Sequence, residues 1–150
     1  MTINEFNDYY LNLKLGVLGG NHGHFDSVNA GLETLEKSKR YRMGLMVLAV
    51  VSLIEANFLN KQDLRTIRNF EISSNVPATV NSTHLACYIY IRDCFAHNPE
   101  AMLLPEGKNT NGFLSAVGRG EFPYGSISDN KVIVQNTDQL GSIARRFFEA

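Results

Sequence analysis

Arg92, Asp93 and His97 fall within the run Ile91-Arg92-Asp93-Cys94-Phe95-Ala96-His97-Asn98-Pro99. A guanidinium, a carboxylate and an imidazole within six residues can together bind a phosphate, hold a charge and move a proton. Their surroundings are otherwise apolar, with Tyr88, Ile89, Tyr90, Ile91 and Phe95 close by in sequence. At about 100° per helical residue, Asp93 and His97 share a face as an i, i+4 pair, with Tyr90 one turn earlier on the same stripe. Asp93 is thus expected to orient and charge-stabilise His97. Arg92 and His97 stand roughly 140° apart around the axis. They converge only if the arginine stem wraps, if the last turn is irregular, or if a second copy of the helix faces the first. Asn98 and Pro99 should end the helix, because proline disfavours helical geometry in the residue before it and lacks a donor. The plainer reading of the same residues is a surface ion pair at a helix end, worth tenths of a kcal/mol.

The pattern Arg92-Asp93-Cys94-Phe95-Ala96-His97 resembles the R-x-x-x-x-H motif of the HEPN superfamily of small helical domains, including a polar residue directly after the arginine. The segment Ser52-Leu53-Ile54-Glu55-Ala56-Asn57 is similar to the glutamate-bearing second helix of several HEPN families. The resemblance implies a mainly α fold, an antiparallel helical bundle that here would carry a small C-terminal β-hairpin and a final helix. It also implies a metal-independent endoribonuclease of the toxin or phage-defence kind, leaving 2′,3′-cyclic phosphate and 5′-hydroxyl ends. In that scheme Arg92 stabilises charge, His97 transfers protons and Asp93 orients, with Glu55, Tyr90 and Asn98 in support. From the residues alone, Glu55 sits on the flank shared by Leu48 and Val51; if that flank is buried its charge needs a partner, Arg92 is one candidate, and Glu55 is expected to hold it in place. Neither a metal nor a cofactor is required. The partners implied are RNA, a second copy joined through the motif helices, and an antitoxin or regulatory protein. Members modified by a partner nucleotidyltransferase carry a Tyr two residues after the histidine; Pro99 stands there in this chain, which argues against that regulation. The alternative is a non-catalytic HEPN module that binds RNA, a nucleotide or a protein.

Composition bounds these readings. A chain of 150 residues, 44% hydrophobic and 10% aromatic, suits one domain with one core. A net charge of −1 excludes an overall basic nucleic-acid binder, so RNA contact would need a local patch. The run Lys37, Lys39, Arg40 and Arg42 is the candidate, with Arg65 and Arg68 as additions. The same run also reads as a solvated helix end whose charge complements the terminal dipole. Cys87 and Cys94, seven apart on one helix and so about 10 Å apart, are too distant for a disulfide and read as buried thiols of a reducing compartment. The first residues lack a basic start followed by an apolar run, and the apolar stretch 43–54 is shorter than the about 20 residues a bilayer needs. The expectation is a cytoplasmic protein without a membrane partner.

Along the chain, Thr2 and Glu5 have capping-box spacing, and Phe6, Tyr9, Tyr10, Leu13 and Val17 predict a helix over residues 3–17. The glycine-rich loop containing His22 and His24 reads as solvent-facing, since no further ligands accompany the pair. His84 has no evident partner. A second helix is expected from Asp26 or Ser27, ending in the basic run, and a separate core helix over residues 43–60. Residues 61–70 predict a short helix with Leu64, Ile67 and Phe70 inward, 73–78 a loop, and Asn81 or Ser82 the cap of the motif helix. Residues 105–112 and 118–120 read as loops. A hairpin is expected around Asp129-Asn130. Thr137 should cap a last helix whose stripe is Leu140, Ile143, Ala144, Phe147 and Phe148. There is no sign of a repeat or a second domain.

Overall fold

The computed structural model describes residues 1–17, 32–68, 82–98, 121–122, 125–128, 131–134 and 137–149, with the side chains of residues 32–40, 68, 82–83, 121–122, 127–128 and 131–133 outside that description. The described chain is mainly helical. Helix α1 spans Ile3–Val17. It starts where the sequence places a capping box: Thr2 N donates to Glu5 Oε2 (2.8 Å) and Glu5 N to Thr2 Oγ1 (3.1 Å). That reciprocal pair satisfies amides that have no partner inside the helix. Phe6 and Tyr10, one turn apart, form its buried side.

Helix α2 runs without a break over Leu32–Phe58. The two helices expected here are one, so the basic run lies inside a helix and complements no C-terminal dipole. The physical reason is that a change from a polar to an apolar stretch is not a stop signal. Glu, Lys and Arg favour helix nearly as well as Leu, and neither Gly nor Pro falls between residues 32 and 43. Continuity also lengthens the apolar segment beyond 43–54. The 18 residues Tyr41–Phe58, at mean hydropathy 1.4, would by length and composition alone be enough to cross a membrane. In the fold one face of this segment is core, with Met46, Val47, Val50, Val51 and Ile54 all at most 1% exposed, while 39% of the segment as a whole is buried.

Helix α3 spans Lys61–Arg68. Asn60 caps it, its Oδ1 accepting from Gln62 N and Asp63 N, both at 2.9 Å. Leu64 and Ile67 face inward as expected. Helix α4, the motif helix, spans Ser82–His97. Strands β1 (Glu121–Phe122), β2 (Gly125–Ser128) and β3 (Lys131–Val134) form an antiparallel sheet in that order, with Ser126 opposite Ile133 and Ile127 opposite Val132. Helix α5 covers Asp138–Glu149, with Leu140, Ile143, Ala144 and Phe147 buried. The expected loops at 19–24, 73–78, 105–112 and 118–120, the turn at Asp129-Asn130, and the sites Asp26, Ser27, Phe70, Asn81 and Pro99 lie outside the described residues.

Helix α2 is the hub, touching α1, α4, α5 and β3, while α3 and β3 pack on α4. One buried cluster draws on all five of these helices and on Val134 of β3. Two glycines permit close approach. A Cβ on Gly141 of α5 would stand 2.7 Å from the Tyr10 ring, and one on Gly44 of α2 would overlap the Phe95 ring of α4. Gly44 thereby sets how tightly the end of the motif helix lies on the hub.

Candidate functional site

Helix α4 is buried around its whole circumference for most of its length. Leu85 through Arg92 each have 7% exposure or less, and Cys94 and Phe95 are buried at 0% and 2%. Among its described side chains His84 and Asp93 are half-buried, and the last turn opens to solvent: Ala96 and His97 are exposed, and Asn98 is half-buried. Asn98 N closes that turn on Cys94 O at 3.0 Å. His97 is therefore the last residue of the helix and an accessible imidazole.

Arg92 sits on the side of α4 facing α2. Its Nη1 donates to Glu55 Oε2 (2.5 Å) and more loosely to Ser52 Oγ (3.5 Å), and its Nε donates to Asp93 Oδ1 (2.8 Å). Glu55 is the partner anticipated from the sequence. Burial opposes the guanidinium charge, but the hydrogen bonds and negative charge of Glu55 and Asp93 outweigh it, so the pKa of Arg92 is raised above its ordinary value. A cation that is almost entirely desolvated is thus kept ionised by two carboxylates whose side chains are 35% and 21% exposed. The assembly draws on two helices: Ser52 and Glu55 lie one turn apart on α2, while Arg92 and Asp93 are neighbours on α4.

Not every expected partnership forms. Asp93 Oδ1 is engaged by Arg92, and the predicted pairing of Asp93 with His97 is absent among the described residues. The desolvated guanidinium has more to gain from that carboxylate than an imidazole in water. Tyr90 does not extend a stripe towards His97 either: it is 5% exposed and hydrogen-bonds Cys94, one turn on. The structure brings Arg92, Asp93, Glu55 and Ser52 together and leaves His97 apart from them on the exposed end. Ser52 gave no chemical signal of its own; its position one turn before Glu55 was the available clue.

The basic residues fare differently. Lys37, Lys39 and Arg40 belong to α2 by their backbone, Arg42 is half-buried with a partner, Arg65 on α3 is exposed, and the Arg68 side chain is outside the described set. His84 is half-buried and also has a partner. His22 and His24 lie outside the described residues, among which no three His, Cys, Asp or Glu side chains gather as a metal-holding group.

Cys87 and Cys94 are free and buried. Burial pushes both thiols from an ordinary value near 9 up to about 12, so neither is a nucleophile at neutral pH. Because the folded-state pKa lies above the unfolded one, the protonated thiols contribute stability that is complete below pH 9 and lost as pH rises towards 12. Native protein at pH 8 is expected to resist iodoacetamide over a period in which both cysteines of the urea-unfolded chain react. Rapid labelling of either in the native state would contradict the burial.

Compared with known proteins, the chain matches no family model, no curated protein and no solved structure.

Proposed function

We propose that this protein is a HEPN-type, metal-independent endoribonuclease of a toxin or phage-defence system, acting in the cytoplasm. The observation that carries the reading is a permanently charged Arg92, fixed by Glu55 and Asp93 within the motif helix whose last turn exposes His97. RNA cleavage by the neighbouring 2′-hydroxyl needs a proton removed from that oxygen, a proton given to the departing 5′-oxygen, and a cation beside the phosphorane. His97 exchanges the protons. Arg92 supplies the cation: Nε and Nη1 are held by the protein, and Nη2 is the nitrogen these bonds leave for a phosphate oxygen. Asp93 serves as a positioning residue for Arg92.

A single His97 cannot readily perform both transfers, and Arg92 points towards α2 while His97 does not. A two-fold partner supplies the second imidazole. Because α4 is buried along its length, that partner meets the motif helix at its last turn, around Ala96 and His97.

The second reading, a non-catalytic module binding RNA, a nucleotide or a protein, is favoured by the same burial: Arg92 is 7% exposed and two of its nitrogens are already engaged. The test is a mixed RNA pool incubated with purified protein in EDTA, followed by analysis of fragment ends. Cyclic phosphate and 5′-hydroxyl ends are expected. Activity abolished by the chelator and restored by one metal ion would sink the mechanism, and intact RNA would favour the binding module.

A further inference from the structure

Tyr41 on α2 is 45% exposed, and its ring packs against another ring. Its centroid lies 5.3 Å from that of Phe95 at a tilt of 57°, and Phe95 is 2% exposed within the last turns of the motif helix. Gly44, one turn after Tyr41, has no side chain, and the Phe95 ring occupies the space a Cβ would need. The glycine lets the end of α4 settle onto α2, and Tyr41 flanks the buried ring while staying partly open to solvent. In sequence Tyr41 lies between Arg40 and Arg42, with Lys37 one turn earlier on the same helical stripe. The other exposed tyrosine among the described residues, Tyr9 on α1 at 39%, follows Asp8 and has no basic run beside it.

We infer that Tyr41 is a stacking platform for an unpaired nucleobase of single-stranded RNA, placed between a basic backbone track and the motif turn. This rests on the ribonuclease reading and adds to it where the substrate's base is held. An exposed ring on a helical stretch that also carries Lys37, Lys39, Arg40 and Arg42 in sequence is a combination by which proteins grip single strands: charge follows the phosphates and the aromatic face takes the base.

The test is the affinity of a fluorescein-labelled, fully 2′-O-methylated mixed-sequence decamer, which lacks the hydroxyl needed for cleavage, measured by anisotropy across a salt series. Tyr41→Leu is expected to weaken binding about tenfold, and Tyr41→Phe to stay within about twofold of the parent. Tyr9→Leu should have no effect. The salt slope of Tyr41→Leu should match the parent's, because a stacked base neutralises no phosphate, whereas Arg42→Ala should lower it by about 0.7. A same-sequence duplex, with its bases already stacked, should not distinguish the Tyr41 variants. Parent-like single-strand binding by Tyr41→Leu, or equal losses on duplex and single strand, would overturn the inference while leaving the ribonuclease reading in place. No RNA binding or cleavage by the parent would remove both.

Discussion

His97→Ala is expected to lose RNA cleavage by about 10²- to 10⁴-fold while unfolding at the same denaturant concentration as the parent. The two halves of that expectation have separate causes. The first follows from proton transfer: without the imidazole, the 2′-oxygen and the 5′-oxygen must exchange protons with water. The second follows from exposure. His97 ends α4 in solvent, outside the buried cluster, and a surface change of that kind stays within about 0.5 kcal/mol. Arg92→Met should behave differently, losing cleavage and stability together, because Arg92 belongs to the packed α2–α4 seam. Mixing the parent with His97→Ala adds a test of the shared site. If each active centre needs an imidazole from both chains, the mixed heterodimer should be as inactive as the His97→Ala homodimer, and excess variant should suppress the parent's cleavage. Full cleavage by His97→Ala alone would remove the imidazole from the mechanism.

Local signals read well from the sequence. The capping box at Thr2 and Glu5 and the four-residue rhythm of α1 are properties of adjacent residues, so no tertiary information was needed to place Ile3–Val17. The end of α4 at His97 was legible for the same reason, through Asn98 and Pro99. What escaped was whatever depended on competition. By sequence alone the basic run 37–42 reads as a boundary, because its charge contrasts with the apolar stretch that follows. A helix ends at a residue that cannot continue it, and Lys and Arg can. Asp93 was assigned to His97 by helical spacing, which measures only reach. Three-dimensional packing placed a buried guanidinium beside the same carboxylate, and the group with the larger desolvation cost took it. The Arg92–Glu55 pair was anticipated because it followed from a cost, an acidic residue on a largely apolar helix, and not from spacing.

That cost leads to an asymmetry. Glu55→Ala is expected to destabilise the fold by about 2–3 kcal/mol, and Arg92→Met by about 1 kcal/mol. Removing Glu55 leaves a guanidinium with an 8% exposed side chain supported only by Asp93 and a long hydrogen bond to Ser52. Breaking a fully buried pair in this way costs about 3–5 kcal/mol. The figure here is smaller because Asp93 remains and Glu55 is 35% exposed. Removing Arg92 instead leaves two carboxylates that water already reaches, and Met retains most of the packing volume. The double variant Glu55→Ala/Arg92→Met should therefore be more stable than Glu55→Ala alone, since the orphaned charge has gone with its partner. Urea unfolding of the three variants closes the double-mutant cycle. Additive losses, or Arg92→Met proving the more damaging single change, would show that the pair is held by packing and not by the need to keep a desolvated cation neutralised.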